Sequence, residues 1–287
     1  EADILVLTGD LIHNYEPTED YSLKMVLDVI ALQEQYGEAI IYLCGNHEMP
    51  HIYGISLSKG HLTFTPDFEK ALNESQRRTD VIDLFHTLPF YVRTKAGVTI
   101  THAGAAAFMS NATDLIKILN WDHQALLSIA DTMMSDEDIA DLREGYARQH
   151  QAPYDLLAHH LLGISGPDDP RYNDLLRGFL ASSHPTFDSL LWPALFTRCE
   201  EEYGRADYDI FVDALLREFS KNFYQQQVLV AGHMGTWGGY QWVTKHHLRL
   251  SSARHARPRR NGRYLLFDAG QPLNKVKHLA KGLGRVF

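Results

Sequence analysis

The sequence predicts an α/β fold, on three observations. Short apolar, β-branched runs stop at glycine-plus-polar blocks, a segment of helical period links the first two runs, and a long helix-rich stretch separates the third run from the fourth. The first run, Asp3-Ile4-Leu5-Val6-Leu7-Thr8, ends at Gly9-Asp10 and reads as a buried strand that delivers Asp10 to a strand end, where function usually collects. Leu23, Val26, Leu27 and Ile30 then recur at helical spacing. The second run, Ala39-Ile40-Ile41-Tyr42-Leu43-Cys44, ends at Gly45-Asn46-His47-Glu48, which completes a β-α-β unit with polar residues at both strand exits.

A third strand, Val98-Thr99-Ile100-Thr101, stops at His102-Ala103-Gly104, and a fourth, Val228-Leu229-Val230-Ala231, stops at Gly232-His233. Between them lie helix-period patterns around 112–120, 122–134, 136–149, 154–162, 172–182 and 208–223. The expected organisation is therefore a core of residues 1–104 and 226–287 with a helical cap insertion at 105–225. Strand candidates follow at 239–244, 247–251 and 263–268, and the chain carries no internal repeat.

Composition narrows the class. With 287 residues, 45% apolar and 22% charged, the chain is long enough for one large globular domain or a core with an insertion. No apolar run approaches the roughly 20 residues that cross a bilayer, and Glu1 to Asp10 have no signal-peptide pattern, so a soluble, cytoplasmic protein without a membrane partner is expected. Cys44 and Cys199 show no zinc or disulfide spacing. A net charge of −9 argues against broad binding to nucleic acid. The stretch 254–263, with five arginines in ten residues, is the one place where such binding could occur; a solvated loop is the simpler reading.

Each of the four strand exits carries a metal-capable side chain. A phosphate ester resists water because its oxygens repel the nucleophile and the alkoxide leaves badly, and two metals about 3.5–4 Å apart address both problems. Asp10 can bridge two cations, Asn46 offers an amide oxygen, and His102 and His233 offer imidazole nitrogens suited to Mn, Fe or Zn. His47, beside a ligand, can protonate the leaving oxygen. Any one histidine among 16 carries little weight alone; the ordered set of blocks carries the inference.

That order resembles the calcineurin-like metallophosphoesterases, whose signature runs Asp-x-His, Gly-Asp-x-x, Gly-Asn-His-Asp/Glu, a later His, and Gly-His. The resemblance implies a β-sandwich flanked by helices and two divalent transition metals, with Mn the expected ion in vitro. It implies Asp10 as the bridge, Asn46, His102 and His233 as completing one site, and His47 as general acid. Within the superfamily the chain looks most like the phosphoprotein phosphatase branch and its diadenosine tetraphosphatase relatives. Gly45-Asn46-His47-Glu48 has that branch's form, Leu190-Leu191-Trp192 resembles its Asp-Leu-Leu-Trp block, and Ser251-Ser252-Ala253 lies where its Ser-Ala-Pro loop would be.

The chain also departs from the pattern. No Asp-x-His occurs, so a further N-terminal segment in the native protein is expected. His13-Asn14 stands where phosphoprotein phosphatases read Asp-Arg, a position similar to that of a histidine in the superfamily's DNA-repair nucleases; His13 is then a candidate catalytic residue, Asn14 a candidate substrate contact, and a structural hydrogen bond an equal reading of His13. Arg205 is the candidate phosphate-binding arginine, with a surface position as the alternative. The leading function is hydrolysis of phosphomonoesters, on a Ser/Thr phosphoprotein or a small phosphate such as a nucleotide. Phosphodiester or dinucleoside polyphosphate cleavage is the runner-up, and a catalytically silent binding module the alternative from another class.

Overall fold

In the computed structural model the first β-α-β unit forms as the patterning requires. The structure describes residues 2–14, 20–196, 199–252 and 255–287; Ala253 and Arg254, both in stretches singled out above, lie outside them. Strands β1 (Leu5–Leu7) and β2 (Ile40–Tyr42) pair in parallel, Leu5 opposite Ile40 and Leu7 opposite Tyr42, with helix α1 (Ser22–Tyr36) as the crossover. α1 buries Val26 and Val29 and stops at Gly37, whose φ of 58° suits glycine. The regular strands are shorter than the apolar runs for a physical reason. Past Leu7 the chain leaves the ladder, and the Thr8 carbonyl accepts a bond from His102 instead of a neighbouring strand.

Next come α2 (Met49–Tyr53), the small hairpin β3 (Ser58–Lys59) and β4 (Leu62–Thr63), α3 (Thr65–Ser75), α4 (Arg78–Thr87), β5 (Tyr91–Arg93) and β6 (Val98–Thr101). Helices then fill the stretch to residue 220: α5 (Ala112–Leu119), α6 (His123–Asp136), α7 (Ile139–His150), α8 (Tyr154–Leu162), α9 (Asp174–Ser183), α10 (Trp192–Phe196), α11 (Cys199–Glu202) and α12 (Gly204–Ser220). Asn111, Asp122 and Asp138 cap α5, α6 and α7 through their side chains, which fixes where those three begin. The chain ends with β7 (Val228–Ala231), β8 (Thr236–Trp237), β9 (Tyr240–Thr244), β10 (His247–Leu250), β11 (Ala256–Arg257), β12 (Arg263–Leu265) and β13 (Leu283–Arg285).

The main sheet has the order β5-β6-β7-β10-β9, with β6, β7 and β10 parallel to one another and the two edge strands antiparallel. Strand alternation sorts its two faces. Val98, Ile100, Val228, Val230 and Leu248 meet Leu43 and the partly buried Val6 and Ile41 of the first unit on one side. Leu229 and Val243 point the other way, into the larger apolar cluster. That cluster runs from Val26, Tyr53, Phe68 and Phe85 into Leu115, Leu127, Leu191, Tyr208, Val212 and Leu216, so the helices after β6 and those of the first half bury their apolar faces against each other. The result is a mixed α/β fold. Among the described residues no helix is long and apolar enough to cross a membrane.

Candidate active site

Four strand exits meet at one point. β1 and β2 are parallel in one sheet and β6 and β7 in the other, so each pair ends together, and the side chains that follow, Asp10 with Asn46 and His102 with His233, meet between the two sheets. Bringing them together takes unusual backbone. Asp10 (φ 55°) and His233 (φ 62°) are both left-handed, as is His13 (φ 69°), a conformation that non-glycine residues hold only when surroundings enforce it. Gly9 (φ 88°) makes room: a Cβ there would stand 2.7 Å from His102 Nδ1 and 2.9 Å from the Gly45 Cα.

The enforcement comes largely from Glu48. Its carboxylate is fully buried and accepts four bonds: Oε2 from the backbone N–H of Asp10 and of Gly45, at 2.9 Å each, and Oε1 from the Leu11 N–H at 2.9 Å and the Tyr42 hydroxyl at 2.7 Å. One side chain thereby fastens the exit of β1 to the exit of β2. Burial, and then the nearby Asp10 charge, raise the Glu48 pKa above the ordinary carboxylate value; burial, and then Glu48, push the Tyr42 phenol well up. Asp10 Oδ1 in turn accepts the His47 N–H at 3.0 Å.

The ligand atoms converge. His102 Nε2 lies 3.1 Å from Asn46 Oδ1, 3.2 Å from His233 Nδ1 and 3.3 Å from Asp10 Oδ2, and the last two are 3.9 Å apart. His102 Nδ1 sits 2.6 Å from the Thr8 carbonyl, which accepts but cannot donate, so Nδ1 carries the proton and Nε2 of the neutral ring turns its lone pair inward. Lone pairs of two oxygens and two ring nitrogens thus face one point. Donors about 2.0–2.2 Å from a single ion stand roughly 3–3.5 Å from one another, the spacing of the three distances from His102 Nε2, with the Asp10–His233 pair somewhat wider. The donor set therefore fits a divalent transition metal, and His102 and Asn46 are each only 1% exposed.

Electrostatics point the same way. Burial works against a charged Asp10 and a charged His102, but their mutual attraction outweighs it, holding the carboxyl well below its ordinary value and the imidazole above its own. Burial lowers His233 to about 4, with the Arg249 charge among the further causes. Asp10, His102 and His233 hold their ligand atoms within 4.8 Å of one another.

His47 stands beside this cluster with its Nδ1 3.0 Å from His13 Nδ1. His13 is 6% exposed, and burial, followed by the neighbouring His51 and His47, drives its pKa far down, so the ring is neutral. Asn14 follows it, partly buried. Arg205 is not brought to the cluster: it opens α12 and lines a cleft with Trp242, Lys245 and Lys277.

Two further groups approach the centre without any sequence signal of their own. Arg249 of β10 lies opposite Ala231, two residues before His233. It is 3% exposed, pairs through Nη1 with Glu200 Oε1, and among the described residues its Nε and Nη2 find no hydrogen-bond partner. His255, in the arginine-rich stretch, has its pKa lowered by burial first, with opposing effects of Asp10 and His47 that place it within electrostatic reach of the cluster.

No curated protein matches the chain. The family model for the calcineurin-like phosphoesterases matches residues 1–234, a span that holds every residue of the cluster, and the chain belongs to that family of metal-dependent phosphoesterases.

Proposed function

We propose that the protein hydrolyses phosphomonoesters, and that Asp10, Asn46, His102 and His233 would hold a divalent Mn, Fe or Zn ion, with Asp10 also available to a second ion. The observation that carries this is the convergence of four lone-pair donors on one point, with His47 held at its edge. Divalent ions bound there supply positive charge to the phosphoryl oxygens and activate a water nucleophile. Every other step belongs to the chain. Water adds to phosphorus, the ester P–O bond breaks, and His47 gives the proton on Nε2 to the departing alkoxide, its Nδ1 being committed to His13. Arg249, already desolvated and with its Nε and Nη2 unpartnered among the described residues, is better placed than Arg205 to grip a phosphoryl oxygen.

A second reading, phosphodiester cleavage, is favoured by His13 at a position where phosphoprotein phosphatases carry Asp and by the partly buried His255 beside the site. Para-nitrophenyl phosphate and bis(para-nitrophenyl) phosphate separate the two. Manganese-dependent, chelator-sensitive turnover that favours the monoester supports the proposal; preference for the diester replaces it with the second reading, and no turnover of either with any metal refutes both.

A further inference from the structure

His47 is the near end of a buried row of side chains that leads away from the metal ligands. His13 Nδ1 meets His47 Nδ1 at 3.0 Å, His13 Nε2 meets His51 Nε2 at 2.8 Å, and His51 Nδ1 meets Glu69 Oε1 at 2.6 Å. Glu69 Oε2 closes the row on Arg78, with Arg171 at 3.5 Å. His13, His51 and Glu69 are 6%, 4% and 2% exposed. Aromatic rings enclose them: Phe64 stacks on His13 at 5.6 Å, and Phe68 lies edge-on to His13 and His51 at 5.9 and 4.8 Å. Four ionisable groups in contact inside an aromatic cage are costly to bury for stability alone, since an apolar row of the same volume would pack without charge.

We propose that Glu69 and His51 are positioning residues which, through His13, hold the His47 ring with Nδ1 inward and Nε2 toward the leaving group. The inference rests on the reading of His47 as the general acid.

The donor count supports it. Burial favours the neutral acid form of Glu69, but the bond and charge of His51 and then the Arg78 guanidinium outweigh it and hold the carboxyl below its ordinary value. Glu69 is therefore an acceptor only, and His51 Nδ1 must donate to it. Each of the two N···N contacts contains one hydrogen, and the neutral His13 ring supplies one donor and one acceptor. The row consequently has a single sense at any moment: all hydrogens point toward Glu69, or an imidazolium His51 points them toward His47. In both, His47 Nδ1 is engaged and Nε2 alone faces the substrate, but only with the hydrogens pointing toward Glu69 does His47 donate from Nδ1 and so carry a second proton on Nε2 to give; in the reverse sense His47 is a neutral ring and no acid. The His13 backbone N–H donates to Ser22 Oγ at 2.9 Å, which fixes the backbone, and Phe64 and Phe68 enclose the ring. Arg171 lies between α8 and α9 and bonds the Leu162 carbonyl at 3.3 Å, so the helices after β6 brace the far end.

The test uses His51→Phe, which cuts the row while keeping a ring between Phe68 and Phe85, and Glu69→Gln, which keeps shape but can donate. Each is assayed with 2,4-dinitrophenyl phosphate, whose leaving group needs no proton, and with phenyl phosphate, whose leaving group does. The expected result is a fall in kcat of at least about thirtyfold on phenyl phosphate and less than about threefold on the dinitro ester, at unchanged KM and metal content, within the range that general acid catalysis contributes. Equal losses on both esters, or none on either, overturn the inference. His47→Gln is the control. If it shows the leaving-group dependence and the row variants do not, the inference falls and the His47 reading stands; if it shows none, both fall. Nitrogen-15 spectra of the wild-type histidines test the same point without a variant: slowly exchanging, far-downfield ring protons on His13 and His51 are expected, and rapidly exchanging rings overturn it.

Discussion

Replacing Glu48 by Gln keeps the shape of the side chain and changes one oxygen into an NH2 group, and the structure says what that must do. Each carboxylate oxygen accepts two bonds, Oε2 from the Asp10 and Gly45 amides and Oε1 from the Leu11 amide and the Tyr42 hydroxyl. With the NH2 group in the Oε2 place, two backbone N–H donors lose their acceptor; in the Oε1 place the Leu11 N–H does, while the Tyr42 hydroxyl can turn and accept. Bonds to a charged group are worth about 1.5–3 kcal/mol each, so even the cheaper orientation costs roughly 1.5–3 kcal/mol. Against this, Gln no longer carries a buried charge beside Asp10, whose repulsion contributes to the raised Glu48 pKa, and that relief offsets part of the loss. A net destabilisation of about 1 kcal/mol or more is expected, against the 5–15 kcal/mol typical of a domain. Urea unfolding of metal-stripped protein at pH 7 measures it. A midpoint within error of wild type would refute the reasoning, because it would mean that the two strand exits are held by something other than this carboxylate.

Other consequences follow from the same geometry. His47→Gln should lower kcat by about a hundredfold or more while metal content stays at the wild-type level; lost metal would show His47 to be a ligand instead. Gly9→Ala should abolish metal binding, checked by elemental analysis, since its Cβ would stand 2.7 Å from His102 Nδ1 at a φ of 88°. Arg249→Met should raise KM for a phosphomonoester at least tenfold and weaken inhibition by inorganic phosphate, whereas Arg205→Met should do neither. Acid should weaken the fold through His123. Burial, then His86, lowers its pKa from 6.5 to about 3, so the unfolded chain takes up a proton that the folded one refuses. The stability this group provides is complete above pH 6.5 and is lost as pH falls toward 3, at about 1.4 kcal/mol per pH unit. His123→Phe should flatten the pH dependence of urea midpoints in that window by this amount.

That Asp10, Asn46, His102 and His233 come together was legible because each follows an apolar run that reads as a strand, and the structure brings the exits of those four strands within hydrogen-bonding distance. The helices between β6 and β7 were legible from their period: the expected segments near 112–120, 122–134 and 154–162 match α5, α6 and α8 closely, with side-chain caps marking the start of the first two. What escaped was contact between elements with no shared pattern. His51 is four residues past His47 on a five-residue helix, and Glu69 sits on α3 among surface-type charges; only packing turns the two toward each other. Arg249 occupies a strand position that reads as solvent-facing in alternation, yet α11 covers it. Arg205 was singled out by distance along the chain before His233, a measure that ignores how the first turn of α12 places it in a cleft with Trp242 and Lys245.

The most direct measurement is calorimetric titration of metal-stripped protein with Mn²⁺, for wild type, Asp10→Asn and His102→Gln. The account predicts saturable binding by wild type and a weakening of at least about a hundredfold in both variants, with circular dichroism unchanged. Equal binding by all three, or none by wild type, would contradict the assignment of these residues as metal ligands.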